Sequence, residues 1–213
     1  MSLDELGLIY KTDKSSNGHN YLHYYEMFLK PIKYAKINLL EIGIDEGSSL
    51  RMWHEYFSMS DNIHGIDIRG NYEYLEEHLE IKTHIVDQSD KQQLSEFGQK
   101  YNDFFNVIVC DGSHVAEDDI LTFNILFPYL KSGGFFIVED NLCSLDKERW
   151  GKNANFLDRV KQMVDEVNMN GKIPNSHICA NKHEAVKKYD ANYYEKHIEW
   201  IFVGCGFVIV KKM

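Results

Sequence analysis

Two apolar runs that end abruptly in acid constrain this chain most: FNVIVCDGSH at 105–114 and GGFFIVED at 133–140. Each has the length of one buried strand. Paired side by side in a parallel sheet, where strands lie about 4.8 Å apart, they bring Asp111, Glu139 and Asp140 to one rim. Three carboxylates at one edge predict a metal site. His114, three residues past the first acid, stands where a turn leaves the strand and is the natural proton acceptor beside such a metal.

The rest of the chain repeats the same alternation of strand and helix. INLLEIG (37–43), NIHGIDI (62–68), KTHIVDQ (82–88), NVIVCD (106–111) and FFIVED (135–140) read as strands. SLRMWHEYF, KQQLSEFGQKY, DDILTFNILFPYL and FLDRVKQMVDEVNM read as the intervening helices, from apolar residues at helical spacing. This order predicts an α/β fold, a doubly wound, mostly parallel sheet with helices on both faces. IEWIFV and FVIVKK, joined by GCG, predict an antiparallel hairpin at the C-terminal edge. Residues 1–35 read as an N-terminal helical lid and 36–213 as the catalytic domain, in a single-domain protein. The polar stretches 141–155 and 170–194 read as loops at the mouth of a site, or equally as solvated linkers.

Composition excludes some functions. A formal charge of −10 disfavours nucleic acid and anionic membranes, and an acidic rim suits a divalent cation. No apolar run approaches the roughly 20 residues of a membrane span and no opening segment reads as a signal peptide, so a cytoplasmic protein is expected. Four widely spaced cysteines support neither a zinc cage nor a disulfide framework.

The first strand opens into EIGIDEGSSL, with Gly43 and Gly47 in place of a full dinucleotide fingerprint. Glu41, Asp45 and Glu46 around this turn repel a pyrophosphate but tolerate the cationic ammonium and sulfonium of S-adenosylmethionine. Asp67, 20 residues beyond Gly47, stands where a carboxylate accepts ribose hydroxyls, and Asp87 is placed to border an adenine. Alone, each is more often a helix cap or a solvated charge, and it is their order and spacing that reinforce one another.

The succession E-x-G-x-x-x-G-S, G-I-D, V-D, V-I-V-C-D-G-S-H and F-P-Y-L-K-S-G-G-x-x-x-x-E-D resembles the class I S-adenosylmethionine-dependent methyltransferases. More narrowly, it is similar to the magnesium-dependent macrolide sugar O-methyltransferases of the mycinamicin methyltransferase type. The resemblance implies a seven-stranded Rossmann-like sheet, S-adenosyl-L-methionine and Mg²⁺ as cofactors, Asp111, Glu139 and Asp140 as metal ligands, and His114 as general base, with Asp111 also in the catalytic and cofactor sets. Glu41, Gly43, Gly47, Ser48, Asp67 and Asp87 fall in its cofactor site. Y-K-T-D-K at 10–14 is similar to the family's T-D-K element, which adds Thr12 and Lys14. His19 and His23, with Tyr10, Tyr21, Tyr24 and Tyr25, read either as a lid over the cofactor or as an aromatic face packed on the sheet.

The expected activity is O-methylation of a sugar or other small polar acceptor in surface-glycan or natural-product biosynthesis. A small-molecule or glycan partner follows, and a homo-oligomer is left open. Methylation of a phosphate or phosphoramidate oxyanion of a capsular polysaccharide is the alternative. A cephalosporin-hydroxylase-like oxidoreductase and a binding module without chemistry rank lower, because the sequence lacks a 2-His-1-carboxylate pattern yet keeps the acids and His114.

Overall fold

The computed structural model describes residues 1–60, 62–70, 72–146, 154–169, 172 and 182–213. Seven strands, β1 Asn38–Ile42, β2 Asn62–Asp67, β3 Lys82–Ile85, β4 Val107–Cys110, β5 Phe135–Val138, β6 Ile198–Gly204 and β7 Phe207–Lys212, form one sheet. Their order is β3-β2-β1-β4-β5-β7-β6. The first five run parallel, and β7 lies antiparallel between β5 and β6. From β1 the chain winds outward through β2 and β3, then returns to β4 on the other side of β1. That reversal leaves a crevice beyond the carboxyl ends of β1 and β4, where open α/β sheets hold their ligands.

The central strands are apolar throughout because both faces are covered. With a period of two, Leu39, Val107, Val109, Ile137 and Ile209 face one way. There α1 Leu3–Tyr10, α2 Leu22–Leu29 and α3 Ser48–Tyr56 supply Leu6, Tyr25 and Trp53. Leu40, Ile108, Cys110, Phe136 and Val138 face the other way. On that side α5 Lys91–Lys100, α6 Ala116–Leu126 and α7 Phe156–Asn168 contribute Leu94, Phe123 and Val160. Each fully buried aliphatic or aromatic side chain of these layers stabilises the fold by about 1.5–3 kcal/mol.

Several expectations shift. The first helix was not anticipated, although Ser2 and Glu5 form a capping box at its start. A short helix, α4 Glu73–Leu79, also escaped the periodicity. β3 stops at Ile85, so Asp87 lies past the strand rather than at its end. The helix expected over 118–130 begins at Ala116 and tightens into a 3-10 turn at Phe127–Tyr129, where Pro128 removes a backbone donor. The expected loops carry a 3-10 turn at Asn141–Leu145 and helices α8 Lys182–Lys188 and α9 Tyr193–His197. Residues 147–153, 170–171 and 173–181 of those stretches, with Cys179, lie outside the described residues. No helix of the described residues is long and apolar enough to cross a membrane.

Candidate active site at the strand tips

A cavity of about 780 Å³ opens over the ends of β1, β2 and β4, a volume suited to a nucleoside-sized ligand. Its floor is the turn after β1. Gly43 there has φ +90, and a Cβ on it would lie 2.1 Å from the backbone oxygen of Asp111, so only glycine lets the tips of β1 and β4 close together. Gly47, with φ +74, is the N-cap of α3.

Asp67 lines this cavity and is already engaged. One carboxylate oxygen accepts the Ile44 N–H at 3.0 Å, and the other accepts the Arg69 backbone N–H at 2.8 Å and its Nε at 3.2 Å. Burial works against ionisation, but these hydrogen bonds outweigh it and bring the Asp67 pKa down to about 2. Arg69 also reaches Asp45 at 3.2 Å. Sequence reasoning missed this arginine, which follows the strand at a position with no periodic meaning. Asp87 and Ser48 line the cavity too, and Asp87 caps its own turn by accepting from the N–H and Oγ of Ser89.

Glu41 sits differently. It is fully buried beneath the turn, accepting from Ser49 Oγ at 2.7 Å, while its other oxygen has no hydrogen bond and lies 3.4 Å from Lys14 Nζ. Burial raises its pKa to about 7 against the pull of Lys14. It supports the cavity floor rather than facing the cavity.

Lys14 is the largest departure from expectation. Only 1% exposed, it inserts its ammonium among Glu41, Asp111 and Glu139, hydrogen bonding to Asp111 and to Glu139 at 3.1 Å. Tyr25 donates its hydroxyl to the remaining oxygen of Glu139. Burial alone drives the lysine toward neutrality, but the three carboxylates hold its pKa well above normal. One ammonium cannot neutralise three buried acids, so burial raises the pKa of Asp111 and Glu139 as well. Thr12, 5% exposed, lines the cavity and accepts the Lys14 N–H at 3.4 Å.

β5 ends before the Glu-Asp pair, and the two acids part there. Glu139 turns inward to Lys14 and Tyr25, whereas Asp140 turns toward Tyr21, His19 and His114. Asp111, His114 and Asp140 each offer an atom within 4.8 Å of the others. Glu139 is not in this group, and its two oxygens accept from the lysine and the tyrosine. His114 Nδ1 lies 3.9 Å from Asp140, and His19 Nδ1 approaches the same carboxylate at 3.3 Å. Tyr21 donates to Asp140 at 2.7 Å, and burial together with that carboxylate pushes the phenol pKa far up. His114 and Asp140 both adopt left-handed backbone, φ 56 and φ 51, which ordered residues keep only where surrounding structure enforces it.

This donor set fits a divalent cation. Hard carboxylate oxygens and an imidazole converge beside a cluster that, fully ionised, holds three acids against one lysine. The acid-rich cavity wall likewise suits a cationic cofactor.

Of the N-terminal aromatics, Tyr21 and Tyr25 reach the acids. Tyr10 instead bonds Glu55 at 2.5 Å, Tyr24 packs on Phe202 and Phe207, and His23 turns to the Asn20 carbonyl. Gln88 was also missed. Buried, it accepts the Ser113 N–H at 2.9 Å and donates to Asp119 at 3.1 Å, fixing the D-G-S-H turn.

Comparison with known proteins agrees with this geometry. Residues 40–141 match the family described as "Methyltransferase domain". The demethylmacrocin O-methyltransferase of Streptomyces fradiae is 32% identical over 178 residues, covering 78% of this chain and 44% of that protein. The L-olivosyl-oleandolide 3-O-methyltransferase of Streptomyces antibioticus is 27% identical over 179 residues, covering 78% and 45%. The chain thus spans about half the length of the curated relatives it matches. The MycE methyltransferase of the mycinamycin pathway, solved in complex with Mg and SAH, superposes with a TM-score of 0.84 at 24% identity, over 100% of this chain and 54% of that one. The seven-stranded sheet with its antiparallel C-terminal edge is the Rossmann-like methyltransferase fold, and residues 40–141 of this chain are a methyltransferase domain.

Proposed function

We propose that this chain is an S-adenosylmethionine- and Mg²⁺-dependent O-methyltransferase acting on a hydroxyl of a sugar carried by a glycosylated small molecule. The observation that carries the reading is the convergence of Asp111, His114 and Asp140 at the edge of the acid-walled cavity. The O-methyltransferase names of the relatives, with L-olivosyl-oleandolide and rhamnosyl tetracenomycin-C among the compounds they print, suggest the substrate class.

In this reading Asp67 and the turn Gly43–Ser48 hold the cofactor's nucleoside and amino-acid ends, with Asp87, Thr12 and Asp111 along the wall. Asp111 and Asp140 would hold the metal, with Glu139 behind them on Lys14 and Tyr25. When bound, the cofactor supplies an electrophilic methyl on a sulfonium and the metal polarises the hydroxyl oxygen. His114 takes the hydroxyl proton at an imidazole nitrogen. Asp140, fixed by Tyr21 and flanked by His19 and His114, orients that imidazole. Lys14 keeps Asp111 and Glu139 from repelling each other, and residues 1–35 close the cavity on the side of the T-D-K element.

The test is methyl transfer from labelled S-adenosylmethionine to mycinamycin VI, demethylmacrocin and a panel of simple 6-deoxyhexosides, with and without Mg²⁺. Label in a glycoside hydroxyl supports the proposal. Cofactor binding without transfer to any glycoside, but with transfer to a phosphorylated or phosphoramidate-bearing glycan, would replace the acceptor class.

A further inference from the structure

A second concavity lies away from the strand tips, between α6, α7 and α9, with Ile120, Asn124, Asp158, Arg159, Gln162 and Tyr194 in its wall. Its volume is about 500 Å³. Arg159 is 7% exposed and stacks its guanidinium over the rings of Tyr194, at 4.6 Å, and Phe123, at 5.3 Å. Its Nη1 donates to Glu166 at 2.9 Å, but Nη2 is buried with no hydrogen-bond partner. An unpartnered buried donor is unfavourable, and an acceptor supplied by a ligand relieves it.

The chemistry of this wall selects a neutral, hydroxyl-rich ligand. Each charge already has its opposite: Arg159 pairs with Glu166, and Asp158 with Lys161 at 2.7 Å. An anion therefore finds no surplus positive charge. The remaining groups are the amides of Asn124 and Gln162, the second oxygen of Asp158, the Arg159 donor and the tyrosine ring. Amides and a carboxylate match vicinal hydroxyls, and the rim of the tyrosine ring adds an apolar contact. Tyr194 donates its hydroxyl to Asn124 Oδ1 at 2.8 Å, which orients that amide.

The concavity is tied to the candidate active site through α6, whose first residue, Ala116, follows His114 by two positions. Glu117 accepts the Ala154 N–H at 3.2 Å, joining the start of α6 to the approach of α7. Ile120 and Asn124 stand about 6 and 12 Å along the helix axis from Ala116. We infer that this concavity is a sugar-binding subsite that holds a pyranose of the acceptor remote from the methylated hydroxyl. The inference rests on the proposed sugar O-methyltransferase reading for its link to catalysis, while sugar binding at Arg159 stands on its own geometry.

Saturation-transfer NMR on the full chain with neutral methyl pyranosides, 6-deoxy sugars included, tests it, comparing wild type with Asn124→Ala, Gln162→Ala and Arg159→Lys. S-adenosylhomocysteine binding and thermal melting are measured on the same samples. The expected result is transfer to at least one neutral pyranoside, reduced fivefold or more in the two alanine variants, with melting and S-adenosylhomocysteine affinity unchanged. Arg159→Lys loses most of it, since an ammonium cannot stack and donate in the same fork. Equal transfer in variants and wild type, no transfer to any neutral sugar, or stronger transfer to glucuronate than to glucoside would overturn the subsite. Absent S-adenosylhomocysteine binding with sugar transfer intact would instead strike the methyltransferase reading and leave the sugar site standing.

Discussion

Replacing Lys14 with methionine removes the one cation that Glu41, Asp111 and Glu139 share in a site where the lysine is 1% exposed. Methionine nearly fills the volume, so the lost term is electrostatic. Removing one partner of a buried ion pair costs about 3–5 kcal/mol, because the other charges stay buried without compensation. Part of this is relieved by protonation. Glu41 already titrates near pH 7 in the folded protein, through burial, and Glu139 is raised well above its ordinary value. Loss of Lys14 raises both further, so the folded variant takes up protons that the unfolded chain does not. The variant's stability therefore rises as pH falls from 8 to 6, by about 1.4 kcal/mol per pH unit for each extra proton bound. Urea unfolding followed by circular dichroism at pH 6 and pH 8 reads both terms. Mg²⁺ at a hundred times its Kd should return about 2.7 kcal/mol. A loss below about 1 kcal/mol that is the same at both pH values, with no response to Mg²⁺, would refute the assignment of Lys14 as the counter-charge of the acid cluster.

Three further outcomes are expected. Asp67→Ala should weaken S-adenosylmethionine binding by about 1.5–3 kcal/mol, roughly ten- to a hundredfold, in calorimetric titration; unchanged affinity in a folded variant removes Asp67 from the cofactor site. His64 and His84 are stacked and hydrogen-bonded at 3.1 Å, and burial lowers both pKa values, that of His64 to about 3. The His64 contribution is fully present above pH 6.5 and is lost as pH falls toward 3, and that of His84 is lost in the same direction, so acid unfolding should steepen below pH 6.5 by up to about 1.4 kcal/mol per unit for His64, and His64→Phe should flatten the curve. Gln88→Leu should lower turnover more than cofactor affinity, since it frees the Ser113 N–H and loosens the turn that carries His114; equal loss of both would show a general effect on the cavity.

The sheet was legible because strands buried on both faces spell themselves as short apolar runs, and 105–111 and 135–140 could be little else. The acids at their ends were legible for the same reason: a strand tip is a fixed place in an open α/β sheet. What the sequence withheld was which acid turns which way. Glu139 and Asp140 diverge because Asp140 adopts left-handed backbone and because Lys14, 125 residues earlier than Glu139, and Tyr25 claim the buried partner. No spacing rule links residues so far apart. Arg69 was hidden differently, as a single exposed arginine whose meaning comes only from Asp67 and Asp45 folding beside it. The capping box of Ser2 and Glu5, by contrast, was present in the sequence and marks α1, one of the helices that were missed.

In the proposed function Asp111 and Asp140 would hold a metal that activates an acceptor hydroxyl while His114 takes its proton. Its most direct test follows methyl transfer to a glycoside acceptor and S-adenosylmethionine binding together, in Mg²⁺ and in chelator, for wild type and His114→Ala. Chelator should abolish transfer and leave the cofactor bound. His114→Ala should bind metal and cofactor but turn over about 10² to 10⁴ times more slowly at neutral pH, recovering in part as the hydroxyl ionises at higher pH. Full transfer in chelator, or a normal rate for His114→Ala, would contradict it.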